Sequence, residues 1–262
     1  MRILFIGDVS AKPGRLAIKS YLKEVRNQFD LIIANCENSA HGLGATMETI
    51  DELHTYGVDY FTSGNDIWHQ PNFSDYLDLE ESLVIRPLNY PSYYPGKGFK
   101  LIERGGKKVL LLNLIGTVFM KEQVLNPFHE IDDFLSRNAL VKEADIILVD
   151  FHAEATSEKI TMGFFLDGRV HAVMGTHTHV QTADERILAK GTAYITDVGM
   201  SGSLNSVLWV KYESSIKKSL FPYRHERYEV EEKKPWVVDG ITLEIDKNNV
   251  VTSIKKVHHI VN

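Results

Sequence analysis

Short apolar runs that end abruptly in polar residues recur along the chain. Their length and their content of isoleucine, valine and leucine predict strands that are buried on both faces. Between the early runs lie segments with the periodicity of helices, and this alternation predicts an α/β domain with a largely parallel sheet. The predicted strands are Arg2–Ile6, Leu31–Ala34, Tyr60–Thr62, Asp145–Val149, Val170–Met174 and Ala193–Ile195, and the predicted helices are Pro13–Asn27, Met47–Tyr56 and Glu130–Val141.

Two further pairs of runs predict antiparallel strands, so the sheets should be mixed rather than purely parallel. Residues 202–231 are charged and aromatic with weak periodicity, and we expect a surface excursion there. Because the sequence contains neither an internal repeat nor an evident linker, we expect a single domain over residues 1–262. The antiparallel pairs are Phe99–Arg104 with Lys108–Leu114, and Trp236–Ile245 with Val250–His258.

Polar side chains cluster where the predicted parallel strands end. Ligands of open α/β sheets bind beyond the carboxyl ends of the strands, so these side chains should share one site. Seven of them carry nitrogen or oxygen ligands, namely Asp8, Glu37, Asn38, Asn65, His152, His177 and His179.

The segment Gly175-Thr-His177-Thr-His179 is the strongest metal-binding feature, because neutral imidazole and carboxylate ligands bind Zn, Mn or Fe. Taken singly, each residue has a plainer explanation, such as a helix N-cap at Asp8, a cap at Asn65, or one core and one surface histidine. Together, the seven ligands are too many for one four-coordinate zinc and fit two metals that share a bridging ligand.

Composition narrows the class without naming a function. The 262 residues are 44% hydrophobic and 24% charged, as in soluble globular proteins. A net charge of −6 gives no general reason to bind nucleic acid, and the single cysteine, Cys36, excludes an internal disulfide. No apolar run reaches the roughly 20 residues of a membrane span, and the first run reads as a core strand, so we expect a cytoplasmic protein without a membrane partner.

Together these motifs resemble those of the calcineurin-like metallophosphoesterases, whose common pattern is Asp-x-His, Gly-Asp, Gly-Asn-His, His and Gly-His-x-His. Ser10 stands where that pattern has its first histidine, and Glu37-Asn38 stands where it has Gly-Asp. Both departures occur in a narrower branch, the YmdB-type 2′,3′-cyclic nucleotide phosphodiesterases of bacteria, which the chain resembles over essentially its whole length. The most specific runs are Asp150–Lys159, Gly175–Asp184 and Ile195–Met200.

The resemblance implies a four-layer α/β/β/α sandwich with two mixed sheets and a centre of two divalent ions. Iron or manganese is implied for these ions, and the N/O ligands also accept zinc. The substrates implied are 2′,3′-cyclic nucleotides or similar small phosphodiesters, including RNA-derived ones, hydrolysed through a metal-bridging hydroxide by a homodimer or homotetramer. Glu37 would bridge the ions, with Asp8, Asn38 and His179 on one ion and Asn65, His152 and His177 on the other.

Asp66 departs from the family pattern at the catalytic position. In the family, the histidine after Gly-Asn donates a proton to the leaving oxygen or stabilises the transition state, but this chain reads Gly64-Asn-Asp66-Ile-Trp-His69. An aspartate beside two cations should have a lowered pKa and be a poor acid. His69 would share a helix face with Asp66. We therefore hypothesise that His69 replaces the missing acid with Asp66 orienting it, the alternative being a surface histidine.

Two functions remain open at this level. One is a working phosphodiesterase, and the other is a metal-bound regulatory or scaffolding protein with little catalysis, which Asp66 favours. His41, in a glycine-rich loop, is a candidate substrate-binding residue. Glu158 and Lys159 either line the pocket after His152 or belong to a solvated helix face.

Overall fold

The computed structural model describes residues 1–223 and 227–262, which form thirteen strands and seven α-helices. The strands are β1 (Arg2–Ile6), β2 (Asp8–Val9), β3 (Leu31–Asn35), β4 (Tyr60–Thr62), β5 (Phe99–Arg104), β6 (Lys107–Ile115), β7 (Ile146–His152), β8 (Ala172–Thr176), β9 (Arg186–Ile187), β10 (Ala193–Ile195), β11 (Met200–Ser203), β12 (Trp236–Ile245) and β13 (Val251–Val261). The helices are α1 (Ala11–Val25), α2 (Met47–Thr55), α3 (Phe73–Leu77), α4 (Pro127–Arg137), α5 (Leu140–Glu143), α6 (Thr156–Leu166) and α7 (Tyr212–Leu220).

Two mixed sheets form the centre of the molecule. The first has seven strands in the order β2-β11-β12-β1-β3-β4, with β13 paired to β12. Within it, β1, β3 and β4 run parallel, whereas β12 is antiparallel to β1 and to β13. The second sheet has six strands in the order β5-β6-β7-β8-β10-β9, of which β6, β7, β8 and β10 run parallel.

The alternation of side chains along each strand creates three apolar layers. On β1, Leu4 and Ile6 face helices α1 and α2, whereas Ile3 and Phe5 face the second sheet. A third layer joins the outer face of the second sheet to α4 and α6. Burying each such side chain contributes roughly 1.5–3 kcal/mol. The layer order is therefore helix, sheet, sheet, helix, which confirms the predicted α/β/β/α sandwich.

Several predicted boundaries shift for local reasons. Strand β7 continues beyond Val149 to His152, because Asp150 and His152 still pair with Asn113 and Ile115 of β6. Helix α4 begins earlier than predicted, because Asn126 Oδ1 accepts hydrogen bonds from the first-turn N–H groups of Phe128 and His129. Helices α6 and α7 and strands β9 and β11 were not predicted.

The predicted excursion at residues 202–231 contains helix α7, none of whose residues is buried. Part of that excursion, residues 224–226, lies outside the described residues, and the single-domain organisation stays a prediction. Among the residues that the structure describes, no helix is long and apolar enough to cross a bilayer.

Candidate metal centre

The carboxyl ends of the parallel strands of both sheets meet at one place. The backbone N–H of Ser63, after β4, donates to Asn113 Oδ1 of β6 over 3.0 Å. Across the same junction, Asn35 Nδ2 of β3 donates to Asp150 Oδ2 of β7 over 3.2 Å. All seven predicted ligands come from the strand ends and turns around this junction.

The imidazole of His152 is the centre of the first group of ligands. Its Nε2 lies 2.8 Å from Glu37 Oε1, 3.1 Å from Asn65 Oδ1 and 3.0 Å from His177 Nδ1. One ring nitrogen can satisfy only one of these neighbours with a hydrogen bond. Glu37, His152 and His177 can each place a ligand atom within 4.8 Å of the others. Lone pairs that converge in this way suit a cation.

The second group surrounds the carboxylate of Asp8. His179 Nε2 lies 3.1 Å from Asn38 Oδ1 and 3.7 Å from Asp8 Oδ1. Asp8 is fully buried, and its Oδ1 has no hydrogen-bond partner among the described residues. An unpaired carboxylate oxygen in the interior is costly unless a cation compensates it, so this atom also points to a metal ligand.

Glycine makes room for the first group. A Cβ on Gly64 would lie 2.3 Å from the ring of His152 and 2.4 Å from Glu37 Oε2. Any larger residue would therefore displace two predicted ligands, and this contact explains why glycine precedes Asn65.

Burial and mutual proximity change the acidity of these groups. Although burial opposes its charge, the carboxylates of Glu37 and Asp8 raise the pKa of His152 to about 9. Burial and the neighbouring His152 lower the pKa of His177 to about 3, which keeps this imidazole neutral. Burial raises the pKa of Asp8 to about 6 against the opposing effect of His179 and His152. In the protein alone, His152 therefore carries the positive charge that a metal would replace.

Neighbouring oxygens select the tautomers of the two imidazoles. His152 Nδ1 lies 2.9 Å from Thr176 Oγ1, whose hydroxyl donates to Asp150 Oδ1 over 2.7 Å. With that hydrogen committed to Asp150, Thr176 accepts the proton of His152 Nδ1, so Nε2 faces the other ligands. Similarly, His177 Nε2 lies 3.2 Å from Glu154 Oε2, which leaves its Nδ1 lone pair facing His152.

The two histidines after β8 have left-handed backbones. His177 has φ 97° and His179 has φ 64°, a region that costs non-glycine residues of order 1–3 kcal/mol. This turn, rather than an extended strand, sends His177 to the first group and His179 to the second. The backbone N–H of His177 also donates to Asp8 Oδ2 over 3.2 Å, which links the two groups.

Asp66 faces the asparagine ligands rather than His69. Its carboxylate accepts Nδ2 of Asn38 over 3.3 Å and Nδ2 of Asn65 over 3.1 Å. Burial and then Glu37 raise the pKa of Asp66 to about 6. His69 is exposed, and among the described residues it makes no side-chain hydrogen bond to Asp66, so the hypothesis that Asp66 orients His69 through such a bond is wrong. The backbone N–H of His69 does donate to the carbonyl of Asp66 over 3.0 Å.

Several of the alternatives left open by the sequence are resolved. Ser10 rather than Asp8 is the N-cap position of α1, and Asn65 Oδ1 faces His152 instead of capping a helix. His41 is exposed in the loop before α2, and the carbonyl of the following Gly42 accepts Asn38 Nδ2. Lys159 is 1% exposed, so it does not lie on a solvated helix face.

Sequence reasoning missed the polar residues behind the ligands. Asp150, Thr176 and Asp197 are all buried and hydrogen-bonded to ligands or to the segment that carries them. Their position at the ends of apolar runs was a usable signal, because a buried carboxylate needs partners.

The donor set fits divalent metal ions. It contains only imidazole, carboxylate and amide donors, which suit Mn, Fe and Zn. The unpaired oxygen of Asp8 and the crowded nitrogen of His152 give two separate positions where a cation would relieve an unfavourable contact.

Comparisons with known proteins identify the family. The profile of the YmdB-like proteins matches residues 4–257. The chain is 43% identical over 250 residues to the 2′,3′-cyclic-nucleotide 2′-phosphodiesterase of Bacillus subtilis (strain 168), across 94% of this chain and 92% of that protein. The crystal structure of a novel phosphatase from Mycoplasma pneumoniae is 35% identical, with a TM-score of 0.90 over 99% of this chain and 93% of that one. That of a hypothetical protein from Thermus thermophilus is 38% identical, with a TM-score of 0.93 over 100% of both chains. The chain therefore belongs to the YmdB-like family of metallophosphoesterases, as its motifs predict.

Proposed function

We propose that this protein is a metal-dependent phosphodiesterase that hydrolyses 2′,3′-cyclic nucleotides, with RNA-derived cyclic ends among its substrates. The observation that carries the proposal is the convergence of Glu37, Asn65 and His177 on His152 Nε2, beside the unpaired carboxylate oxygen of Asp8. The name of the Bacillus subtilis relative supports the substrate class.

The proposed reaction adds water across one ester bond of the cyclic phosphate. If the P–O2′ bond breaks, as in the activity named for the relative, the hydroxyl oxygen joins phosphorus and the 2′ oxygen takes a proton. When bound, divalent ions supply Lewis acidity and stabilise the charge on the phosphoryl oxygens. We assign the bridging position to Glu37, with Asp8, Asn38 and His179 on one side and Asn65, His152 and His177 on the other.

The protein's own groups prepare this site in three ways. Thr176 and Glu154 hold the two imidazoles in the tautomers that bind metal. Asp66 holds the amide nitrogens of both asparagines, so that their carbonyl oxygens face the histidines. His69 is assigned as the proton donor to the leaving oxygen, and exposed His41 as a substrate contact; both assignments are proposals from the sequence.

The metals we propose are iron or manganese, with zinc acceptable to the same ligands. Assembly as a homodimer or homotetramer and a cytoplasmic location remain predictions from the sequence.

A second candidate is a metal-bound protein whose role is regulatory or scaffolding. The contact that favours it is the pairing of Asp66 with Asn38 and Asn65, because a carboxylate committed to those amides does not replace the family's proton-donating histidine.

Turnover of 2′,3′-cyclic AMP by the purified protein in Mn²⁺ or Fe²⁺ tests the proposal, with chromatography to separate 2′-AMP from 3′-AMP and bis-p-nitrophenyl phosphate as a second substrate. We expect metal-dependent formation of 3′-AMP. Glu37→Gln should lower kcat/KM by more than about 100-fold, since loss of a ligand exceeds the effect of losing an outer partner. Glu103→Gln, an exposed change on β5, is the matched control. Two tightly bound metals without turnover would support the regulatory role instead.

A further inference from the structure

The carboxylate of Asp197 holds the middle of the histidine segment. Its Oδ2 accepts the backbone N–H of Thr178 over 3.0 Å and the hydroxyl of Thr178 over 2.7 Å. Thr178 lies between His177 and His179, the two residues with left-handed backbones. A carboxylate that takes both donors of the intervening residue fixes the direction in which each neighbouring imidazole leaves the chain.

The same carboxylate also connects to Asp8. Asp197 Oδ1 accepts the N–H of Gly199 over 2.9 Å, and the carbonyl of Gly199 accepts the N–H of Asp8 over 3.1 Å. Gly199 has φ 86°, and a Cβ there would lie 2.7 Å from Asp239 Cβ, so its geometry is tightly constrained. One buried side chain therefore contacts the segments that carry both groups of predicted ligands.

Main-chain bonds fix the far end of the histidine segment to the same residue. The N–H of Thr182 donates to the carbonyl of Asp197 over 3.0 Å, and the N–H of Asp197 donates to Thr182 Oγ1 over 2.9 Å. The turn from Thr178 to Thr182 is thus held to Asp197 at both ends.

Lys159 neutralises Asp197 from the neighbouring helix. Its Nζ lies 2.7 Å from Asp197 Oδ2, and the two side chains are 1% and 0% exposed. A Cβ on Gly175 would approach Lys159 Cδ to 3.1 Å, so the lysine stem passes directly beneath the start of the histidine segment. A buried ion pair is often no more stabilising than apolar residues of the same volume. Stability alone therefore does not account for the pair, whereas control of the ligand geometry does.

We propose that Asp197, neutralised by Lys159, is a positioning residue that sets the affinity of the site for divalent metal. It holds His177 and His179 in their left-handed conformations and fixes the backbone of Asp8. The inference rests on the proposed function, because it takes these three residues as metal ligands.

The test measures binding of Mn²⁺ alone by calorimetric titration of the chelator-stripped full-length protein. The first variant is Asp197→Asn with Lys159→Met, which removes both charges together. An asparagine there accepts at one position and donates at the other, so it cannot accept the N–H groups of both Thr178 and Gly199. The second variant, Thr178→Val, removes one hydroxyl donor and leaves the ion pair in place.

Two controls separate the possible explanations. Asp167→Asn removes another buried carboxylate, which accepts the N–H groups of Lys190 and Thr192 and does not touch the histidine segment. His177→Ala removes a predicted ligand and so tests the proposed function itself. The melting temperature of every variant is measured in chelator, where a purely structural effect would appear.

We expect the double variant to lower Mn²⁺ affinity by about 10–100-fold, the usual effect of losing an outer-shell partner. Thr178→Val should lower it severalfold, and Asp167→Asn should lower only the melting temperature. Unchanged affinity in both Asp197 and Thr178 variants, with His177→Ala strongly weakened, would overturn this inference and leave the proposed function standing. If His177→Ala also binds Mn²⁺ normally, the ligand assignment fails and the inference fails with it. Should the double variant not fold, Thr178→Val alone decides.

Discussion

The side-chain amide of Asn38 donates to the carboxylate of Asp66 over 3.3 Å. The other oxygen of that carboxylate accepts the amide of Asn65 over 3.1 Å, so a single side chain faces one asparagine from each group of predicted ligands. The residue that departs from the family pattern is therefore part of the support of the site. Its replacement should affect metal binding before it affects the chemical step.

Asp66→Asn should weaken binding of Mn²⁺ by about tenfold. The new amide can accept from one asparagine, but it presents a donor to the other, which loses the partner that orients its carbonyl oxygen. Calorimetric titration of the metal-free protein measures the change. Asp75→Asn, in the first turn of α3, is a control. Equal Mn²⁺ affinity in the Asp66 variant and the wild type would show that the asparagines are oriented without Asp66.

Asp66→His should raise turnover once the loss of metal affinity is compensated by saturating Mn²⁺. A positioned general acid is worth about 10²–10⁴-fold, and imidazole donates a proton near neutral pH more readily than an ionised carboxylate. The measurement is kcat for 2′,3′-cyclic AMP at rising Mn²⁺ concentration. A kcat that stays at or below that of the wild type at saturation would mean that the wild-type chain already has an effective proton donor.

His69→Ala decides whether that donor is His69. If it protonates the leaving oxygen, kcat should fall by about 10²-fold or more with little change in KM. His129→Ala, on helix α4, gives a matched loss of a histidine away from the junction. Because exposed His69 has no side-chain hydrogen bond to Asp66 among the described residues, unchanged turnover in His69→Ala would leave it as a surface histidine.

Thr176→Val should lower both metal affinity and stability. The change deprives Asp150 Oδ1 of its hydroxyl donor and His152 Nδ1 of its acceptor, and an unsatisfied buried polar group costs about 1–3 kcal/mol. Urea unfolding in chelator measures the stability term, and Mn²⁺ titration measures the affinity term. Thr161→Val, whose hydroxyl bonds to its own helix at an exposed position, should change neither. Full retention of affinity in Thr176→Val would exclude control of the His152 tautomer by Thr176.

Metal binding should release about one proton from His152 near pH 7.5. Its pKa is about 9 in the protein alone, so the ring is protonated below that pH, whereas a metal ligand must be neutral. Proton release should therefore be nearly complete between about pH 7 and 8 and should decline as the pH rises through 9. Calorimetry in buffers of different ionisation enthalpy counts the protons. His152→Gln should abolish the release, and wild-type binding without buffer dependence would contradict it.

The fold was largely predictable because its strands are apolar on both faces and end at sharp polar boundaries. The predicted span of β1 matches the structure, since Gly7 stops an otherwise uninterrupted apolar run. Strand β11 was missed because its sequence, Met-Ser-Gly-Ser, has no apolar pattern. It is a strand because β12 and β2 supply partners on both sides, which is a tertiary effect.

The supporting residues of the site were harder to predict than its candidate ligands. Each candidate ligand has a recognisable type at a strand end, but the role of Asp197 depends on contact with Thr178 and Lys159, and no local pattern encodes that contact. Likewise, position 66 could be marked as unusual from the sequence, but its contacts with two asparagines required their three-dimensional arrangement.

The position of β12 beside β1 has a consequence for synthesis of the protein. The amino group of Met1 donates to the carbonyl of Ile245, 244 positions along the chain, and the N–H of Gly7 donates to the carbonyl of Asp239. A chain emerging from the ribosome therefore keeps the edge of β1 open, together with its apolar side chains, until almost all residues have been translated. Such an edge is prone to intermolecular pairing, so this protein should depend on chaperones while it is nascent. Asp8 reaches its final position only when that late strand docks, and capture of metal must follow translation.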